Sequence, residues 1–543
     1  MTPSHVPTTS PPTPRRTTAV QVAVILCASI ATYANTAANG FVWDDNDIIV
    51  NNPQNRDLAS IPALFASVDR TQTGHHAAYY RPLTRLTYVL DRQAFGDGAA
   101  GYHLVNVALQ ALAALALYAL VAAWFGDPTA GFIASLLLAV HPVNSEAVDF
   151  LSTRNTVLAA LFVLASLTAY RRWRVRGGAA LLAASSAAFL AGLLSKETAV
   201  MLLVLLPVLE RIAPAGSGSE APRWRFAPFA GALLAYLLLR WNALSGLVGT
   251  GLEPDRLPAR LAANLYMVPR YLGLVLWPRG LSALHGVPAD WAARWPVLLL
   301  AWGGIGASVF LVVRLRSPLA TFGLLWFALC LLPTCGIVPI PSAQMAERYL
   351  YLPAIGLWMV AGALGSRAWA LFPRWRLALA AALAAVVALL AAATVVRNRV
   401  WKEPVAFYSA MSEASPDLPL GPYSLGLAHQ LAGNMPAARA AWTRAASIDP
   451  GYYDVAAKLG LAEAQAGDWA AAERWLLEAL RANPGDAAAA FNLAAVEDRE
   501  GKAPEAATHY QLFLELQGSG SSPAARKAQA RIEALVGAPQ PAR

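Results

Sequence analysis

The sequence predicts an all-α fold: a polytopic bundle of membrane-spanning helices followed by an α-solenoid of helical repeats. Apolar residues make up 57% of the 543 residues and charged residues only 14%. With a mean hydropathy of +0.43, this composition is too apolar for a soluble protein of this size. Hydrophobic runs near the roughly 20 residues that cross a bilayer recur up to residue 395. A 34-residue period then begins, which is typical of stacked helix pairs.

Short basic clusters between the apolar runs set the predicted orientation, because lysine and arginine are enriched in cytoplasmic loops. One threading places every cluster, from Arg15 and Arg16 to residues 367–376, on the cytoplasmic side. The N-terminus is then inside and the C-terminus outside, with about eleven crossings. The predicted spans are 19–36, 103–124, 129–143, 156–170, 178–194, 198–212, 227–243, 296–313, 318–336, 350–368 and 377–396.

Two segments need separate treatment in this threading. The first apolar run is expected to stay as an anchor, because no convincing small-residue cleavage site follows it. If residues 263–278 crossed the membrane, a later basic cluster would lie on the outer side. We therefore expect this segment to be re-entrant or interfacial.

The predicted domains follow from these boundaries. Residues 1–18 form a cytoplasmic tail, residues 19–396 a membrane domain with a first outer loop at 37–101, and residues 397–543 an extracytoplasmic repeat domain. The net charge of +9 is explained by the orienting loops, so nucleic acid binding is not expected.

The C-terminal domain has the period of the tetratricopeptide motif. Ser415–Pro416, Asp449–Pro450 and Asn483–Pro484 are each 34 residues apart. Small and large residues recur at equivalent positions, as helix-pair packing requires: Leu425, Gly426, Ala438, Trp442 and Ala445, then Leu459, Gly460, Ala472, Leu476 and Ala479, then Leu493, Ala494, Ala506 and Tyr510. Residues 401–416 resemble the second helix of an incomplete unit, and a capping helix is predicted from residue 522. The repeats could bind a peptide or protein partner, or be a structural appendage.

The unusual polar motifs all fall on the outer side of this threading. They are "FVWDDNDIIVNNP" (41–53), "YYRPLTRLTYVLDRQAFG" (79–96), "HPVNSEAVDFLSTRN" (141–155), "SKET" (195–198) and "PIPSAQMAERYLYLP" (339–353). Ionisable groups gathered at one face of a membrane protein usually mark a substrate site. Carboxylates near Arg154, Lys196 and Arg348 suit a reaction in which a phosphate leaves while a hydroxyl loses its proton. The absence of a Walker sequence and of a Gly-rich nucleotide loop argues against ATP or a soluble nucleotide sugar.

In the same order, these motifs resemble the transmembrane-and-tetratricopeptide-repeat protein O-mannosyltransferases and their bacterial relatives. The resemblance implies a C-type membrane glycosyltransferase fold and a polyprenyl-phosphate sugar as donor substrate, without a separate cofactor. It implies transfer of mannose or another hexose to a hydroxyl, Ser or Thr of a protein, on the extracytoplasmic side of a bacterial inner membrane. It also implies acidic residues in the first outer loop, where Asp44 and Asp45 stand.

A sugar on a polyprenyl phosphate already has a good leaving group. The enzyme must mainly deprotonate or orient the acceptor hydroxyl and stabilise the departing phosphate. We therefore predict Asp44 as the general base and Asp45 as its support. The alternative is an Asx-type cap at a loop entrance, which suits Asp47 better.

The candidates for substrate or phosphate binding are Arg81, His141, Glu146, Arg154, Lys196, Glu197, Glu347 and Arg348. Arg348 stands out, because a planar guanidinium binds phosphate with two parallel hydrogen bonds. Glu146 and Arg154, eight residues apart, could instead form a structural pair on one helix face.

Two of these assignments have simpler alternatives. His141 is as readily a packed interfacial residue, and Lys196 could snorkel at the end of its span. No metal site is predicted, because His75 and His76 lack a suitably spaced third ligand.

Two other function classes stay open. A non-catalytic membrane scaffold that assembles envelope proteins through its repeats needs spans and repeats, but no charged outer loops. A transporter needs charged groups at a midplane cavity, whereas these cluster at one membrane face.

Overall fold

The computed structural model describes residues 15–68, 79–214, 222–244, 257–288, 290–335, 345–452, 454–517 and 522–537. His75 and His76 lie outside these residues. The chain divides into two compact units, Met1–Glu403 and Pro404–Arg543. Both units are helical.

The first unit is a helical bundle whose connections include short 3-10 turns. Its α-helices are α1 (Arg15–Tyr33), α2 (Ile61–Ala66), α3 (Pro82–Phe95), α4 (Ala99–Phe125), α5 (Pro128–Val140), α6 (Ser145–Asp149), α7 (Arg154–Arg176), α8 (Ala179–Ser195), α9 (Leu202–Ile212), α10 (Ala227–Leu244), α11 (Leu257–Ala262), α12 (Asn264–Leu276), α13 (Trp295–Arg314), α14 (Pro318–Leu331), α15 (Tyr351–Leu371) and α16 (Arg376–Asn398). Each of the eleven predicted spans overlaps one of these helices. The segment set apart at 263–278 is the separate helix α12.

Within the described residues, seven helices are long and apolar enough to cross a membrane. They are Thr17–Ala38, Ala99–Phe125, Leu151–Arg176, Arg223–Leu244, Trp291–Arg314, Tyr351–Leu371 and Pro373–Trp401. The pair Pro128–Val140 and Pro142–Asp149, bent by 59° at its break, would make an eighth span. The apolar helices Ala179–Ser195 and Pro318–Thr334 are shorter. The polytopic helical bundle is therefore confirmed, while eleven crossings and their orientation stay predictions.

The outer surface of the bundle remains apolar where α13 and α16 face outward. Leu300 is 79% exposed, and Leu377 and Leu389 are 86% and 72% exposed. Exposing leucine side chains to water is unfavourable, whereas contact with lipid tails is not. These helices therefore have the surface of membrane spans.

Glycines bring neighbouring helices of the bundle into backbone contact. A Cβ on Gly323 of α14 would lie 2.4 Å from the carbonyl oxygen of Gly356 in α15, and one on Gly356 would lie 2.2 Å from that of Gly323. On α15, a Cβ on Gly362 would lie 2.3 Å from the Ala130 oxygen of α5. Small residues at such positions are the usual device for close helix packing in membranes. They fix α15, and the turn Glu347–Tyr349 that precedes α15 carries part of the candidate site.

The second unit consists of α17 (Pro404–Ala414), α18 (Leu420–Leu431), α19 (Met435–Ile448), α20 (Val455–Ala466), α21 (Trp469–Ala482), α22 (Ala487–Arg499), α23 (Ala503–Gln517) and α24 (Pro523–Gly537). The helices α19, α21 and α23 begin at residues 435, 469 and 503, so their starts repeat every 34 residues. The predicted helical repeats are thus present, preceded by α17 and followed by α24.

The predicted small and large residues of the repeats meet inside each helix pair. A Cβ on Gly426 would lie 2.2 Å from the Trp442 indole nitrogen, and one on Gly460 would lie 2.5 Å from Leu476 Cγ. In these two pairs a large side chain of the second helix fills the space that the glycine leaves on the first.

Candidate active site

Asp45 fastens the loop that follows α1. Its buried carboxylate accepts hydrogen bonds from the Ser152 backbone N–H (2.8 Å), the Ser152 hydroxyl (2.6 Å) and the Val42 backbone N–H (3.2 Å). Burial raises the pKa of Asp45 to about 7, and these hydrogen bonds offset the rise only in part. The contacts tie the loop to the turn that precedes α7, so Asp45 is placed to hold its neighbour Asp44.

Trp43, just before this pair, has a left-handed backbone with φ +50°. Such a conformation is strained for a bulky residue and is found mostly at functional sites. The Trp43 indole stacks on Phe150, with ring centres 5.5 Å apart and planes 7° apart. Phe150 in turn stacks on Trp401 at 5.5 Å and 18°. The stack holds the strained backbone from which Asp44 projects.

Arg348 is held next to this loop by Glu146 of α6. Its backbone N–H donates to Glu146 Oε2 (2.7 Å), and its Nη1 donates to Glu146 Oε1 and to the Ala283 carbonyl (3.0 Å). The guanidinium carbon lies 5.7 Å from the centre of the Trp43 ring. Burial alone would lower the pKa of Arg348, but Tyr349, Glu146 and Asp44 raise it above its usual value. Asp44 and Arg348 therefore interact electrostatically across the loop.

Lys196 is a buried cation at the junction of α8 and α9. The residue is only 7% exposed, and its Nζ donates to Thr156 Oγ1 at 2.7 Å. Burial lowers the pKa of Lys196 to about 7, and the positive charges of Arg81 and Arg348 contribute to the lowering. The ammonium is thus poised to change charge near neutral pH.

Arg81 and Glu197 form an ion pair beside Lys196. Arg81 Nη2 lies 2.7 Å from Glu197 Oε1, and Arg81 Nε donates to Oε2 at 3.2 Å. The side chains are 15% and 42% exposed, respectively. The hydroxyl of Thr84 donates to the Ser195 carbonyl (3.1 Å), which joins α3 to the end of α8. The positive charges of Arg81 and Arg348 both act on Lys196, so these three cationic groups lie at the same end of the bundle, and Asp44 acts on Arg348.

Arg154 has a different environment from the one predicted. It is fully buried, its Nη1 lies 2.5 Å from Asp91 Oδ2, and it donates to Asn106 Oδ1 (2.5 Å) and to the Tyr102 carbonyl (3.0 Å). The alternative in which Arg154 pairs with Glu146 is not found, because Glu146 is bound to Arg348. With its guanidinium occupied by protein groups, Arg154 is placed to hold α7 against α3 and α4 and not to bind phosphate.

His141 is packed between the backbone of two segments. Its Nδ1 accepts from the Val143 N–H (3.2 Å), and its Nε2 lies 2.9 Å from the Val275 carbonyl. Its ring also lies 4.7 Å from that of Trp358. Both nitrogens have protein partners, so the geometry favours the packed interfacial residue over the substrate ligand.

Glu347, which precedes Arg348, lies in a buried polar cluster. Its partners in that cluster were not predicted from the sequence. It accepts from the Ser282 N–H and lies 3.1 Å from His285 Nε2 and 3.8 Å from Arg397 Nη2. The His285 backbone N–H also donates to the Met345 carbonyl (2.9 Å). These contacts hold the segment around Arg348, so Glu347 is placed to position Arg348 rather than to bind substrate directly.

Asp149 is a further residue that sequence reasoning passed over. It is fully buried, and neither carboxylate oxygen has a hydrogen-bond partner among the described residues. The charge of Arg397, on α16, acts on it. The available signals were Asp149 inside the outer motif 141–155 and Arg397 at the end of an apolar run, both unusual for membrane depth.

Comparison with known proteins shows what the chain is similar to. A family model described as dolichyl-phosphate-mannose-protein mannosyltransferase matches residues 82–213, from α3 to the end of α9. A protein O-mannosyl-transferase of Caenorhabditis elegans is 26% identical over 79% of this chain and 63% of its own length. Residues 82–213 thus resemble this family of mannosyltransferases, and the chain is similar to protein O-mannosyltransferases over much of its length.

Two further O-mannosyltransferase relatives match shorter parts. One from Drosophila melanogaster is 28% identical over 54% of this chain and 38% of its own length. One from Homo sapiens is 31% identical over 28% of this chain and 17% of its own length. The chain spans 63% of the length of the first relative and less than half of the other two. The family-model match includes Lys196 and Glu197 but neither Asp44 nor Arg348.

Proposed function

We propose that this protein is a membrane glycosyltransferase that moves a hexose, mannose first among the candidates, from a polyprenyl phosphate to a Ser or Thr hydroxyl of a protein. The transfer takes place on the extracytoplasmic side. The proposal rests chiefly on the juxtaposition of Asp44 with Arg348, which brings a base and a phosphate-binding cation to one end of the bundle. The names of the relatives favour mannose and a protein acceptor.

Asp44 acts as the general base in this reaction. The acceptor oxygen attacks C1 of the sugar while its proton passes to the Asp44 carboxylate, and the bond from C1 to the phosphate oxygen breaks. The electron pair of that bond leaves with the lipid phosphate. General-base assistance of this kind contributes about 10²- to 10⁴-fold to a rate.

Arg348 binds the departing phosphate. Among the described residues, its polar contacts use Nη1 and the backbone N–H, which leaves Nε and Nη2 for a two-point contact to phosphate oxygens. Glu146 fixes the guanidinium in advance, so little of its conformational freedom is lost when the donor binds. Lys196 adds a second, titratable positive charge.

Asp45 and Trp43 position the base. Three hydrogen bonds hold the Asp45 carboxylate away from the reaction, and the stacked Trp43 fixes the strained backbone before Asp44. A catalytic group must be kept within a fraction of an ångström of its working geometry. The two neighbours of Asp44 serve that purpose.

The repeats bind the protein acceptor. Within the second unit, a cavity of about 430 Å³ is lined by Tyr423, Asp454, Asn483 and Asp486, among others. Its size falls in the range of ligand pockets, and its carboxylates and amide suit hydrogen-bond donors of an acceptor segment. Removal of residues 417–543 should lower transfer to protein while donor binding persists, because solenoids have their own core.

The test is direct transfer with the purified full chain. Radiolabelled polyprenyl-phosphate mannose and a Ser- and Thr-rich acceptor protein are incubated with the enzyme, and label in protein is counted. Asp44→Asn should abolish most of the signal, whereas Asp47→Asn, three residues on, should not. Folded protein that binds the donor but transfers no hexose to any acceptor would overturn the proposal and favour a scaffold.

A further inference from the structure

A second polar pocket lies at the other end of the bundle from the candidate active site. It has a volume of about 440 Å³ and is lined by Arg174, Pro207, Glu210, Arg211, Pro214, Arg225 and Phe226. These residues come from the end of α7, from α9 and the residues just after it, and from the turn Arg223–Phe226 that precedes α10. Arg174 is twenty residues along α7 from Arg154, a distance of about 30 Å at the helical rise. The pocket is therefore remote from Asp44 and Arg348.

The pocket carries more positive charge than its own acid can neutralise. Glu210 accepts from Tyr170 Oη (2.6 Å), from Arg174 Nη1 and from Arg225 Nε (3.0 Å). Its side chain is only 13% exposed. One carboxylate thus orients two guanidiniums at the pocket wall, with a net positive charge left over.

Arg211 adds a third guanidinium to the wall. It is exposed, and no ion pair joins it to another described residue. Arginine is the side chain best suited to bind phosphate oxygens, because its planar fork offers parallel donors. The pocket therefore has the donors and the charge excess of a phosphate-binding site.

Aromatic residues place this pocket at the level of a membrane interface. Trp173 precedes Arg174, Trp224 precedes Arg225, and their rings lie 6.3 Å apart. Trp224 is 59% exposed. Tryptophans are enriched at the headgroup level of membranes, and basic pockets between spans at such a level are typical binding sites for anionic headgroups.

We propose that the pocket formed by Arg174, Arg211 and Arg225 binds the phosphate of an anionic phospholipid headgroup. Phe226, Pro207 and Pro214 supply the apolar part of the wall, against which the glycerol and the upper acyl chain lie. A free phosphate offers the same oxygens but no apolar part. Glu210 is the structural residue that presents two of the three guanidiniums.

The experiment measures lipid binding to the full chain in neutral detergent. Short-chain phosphatidylglycerol is titrated while the thermal unfolding midpoint is followed, with short-chain phosphatidylcholine and inorganic phosphate as separate comparisons. Phosphatidylglycerol should raise the midpoint in a saturable way. Phosphatidylcholine and inorganic phosphate should produce little change at the same concentrations.

The variants locate the site. Arg211→Gln should raise the half-saturating lipid concentration roughly tenfold, as expected for one lost charge-assisted contact, and it leaves the contacts of Glu210 untouched. Glu210→Gln should also raise that concentration, because it removes the carboxylate that orients Arg174 and Arg225. Arg176→Gln, which changes an exposed arginine outside the pocket on the same helix end, should have no effect.

Three results would overturn the proposal. An equal rise with phosphatidylcholine would show a detergent-like effect without charge recognition. An equal rise with inorganic phosphate would show a free-anion site in place of a lipid site. Unchanged half-saturation in Arg211→Gln, with normal folding, would place the lipid elsewhere. Because the readout is binding, none of these results depends on the proposed transferase activity.

Discussion

Donor affinity should depend on pH through Lys196. Burial brings the pKa of this ammonium to about 7, so it is charged below neutral pH and largely neutral above it. A phosphodiester donor keeps its single negative charge over the same range. If the charged form of Lys196 helps to bind the donor phosphate, affinity must fall as pH rises through 7.

The size of the effect follows from the titration. With a pKa of about 7, Lys196 is roughly 90% charged at pH 6 and roughly 10% charged at pH 8. When only one form of a protein is competent to bind, the apparent dissociation constant scales with the inverse of its population. Donor affinity should therefore fall roughly tenfold between pH 6 and pH 8.

Equilibrium binding of labelled polyprenyl-phosphate mannose in detergent measures this fall. Lys196→Arg keeps a charge at all these pH values and should flatten the profile, while Lys196→Met should flatten it at low affinity. Two other groups need controls. Asp45→Asn removes a carboxyl whose pKa is also raised to about 7, and His285→Gln removes an imidazole near Arg348; both should keep the slope. A slope that survives in Lys196→Met would refute the reasoning.

Three further predictions follow from the contacts. Asp44→Asn should lower single-turnover transfer by roughly 10²- to 10⁴-fold with donor binding intact, whereas Arg348→Ala should weaken donor binding as well; near-normal turnover in the first or unchanged affinity in the second would contradict the assignment. Arg154→Met should lower the free energy of unfolding by about 3–5 kcal/mol, since it leaves Asp91 buried without its partner. Adding Asp91→Leu to this variant should raise its thermal unfolding midpoint, and a double variant that melts no higher than Arg154→Met would contradict the explanation. A reporter active only outside the cytoplasm should work when fused after residue 400 and fail near residue 174, and the reverse result would invert the topology.

The helices could be predicted from the sequence because their signals are local. Apolar runs identified eleven helices of the first unit and the separate segment of α12, but not the helices α2, α3, α6 and α11. The 34-residue period predicted the helix pairs whose second helices begin at residues 435, 469 and 503. The pairing of Gly426 with Trp442 follows from the same period. The number of crossings was harder, because α9 and α14 are short and the α5–α6 pair is bent. Length and composition alone do not decide such segments.

The ion pairs of the site could not be predicted from spacing. Glu146 and Arg154 have the separation of a helix-face pair. The helix is interrupted between α6 and α7, however, and this interruption puts the two residues in different environments. Glu146 instead meets Arg348, 202 residues away, and Arg154 meets Asp91 on another helix. Local periodicity holds only within one continuous helix. Contacts made by loops at helix ends depend on how the whole bundle packs.

The site combines two loops, one that carries Asp44 and one that carries Arg348. Asp45 ties the loop of Asp44 to Ser152, just before α7, while Glu146 of α6 binds Arg348, just before α15. Only four residues separate α6 from α7. The loop of Asp44 and the side chain of Arg348 are therefore both held by one short segment, 146–152. A disturbance of that segment must displace Asp44 and Arg348 together. Preorganised electrostatics requires such a shared reference, because a base and a leaving-group cation that moved independently would lose their alignment at the moment of transfer.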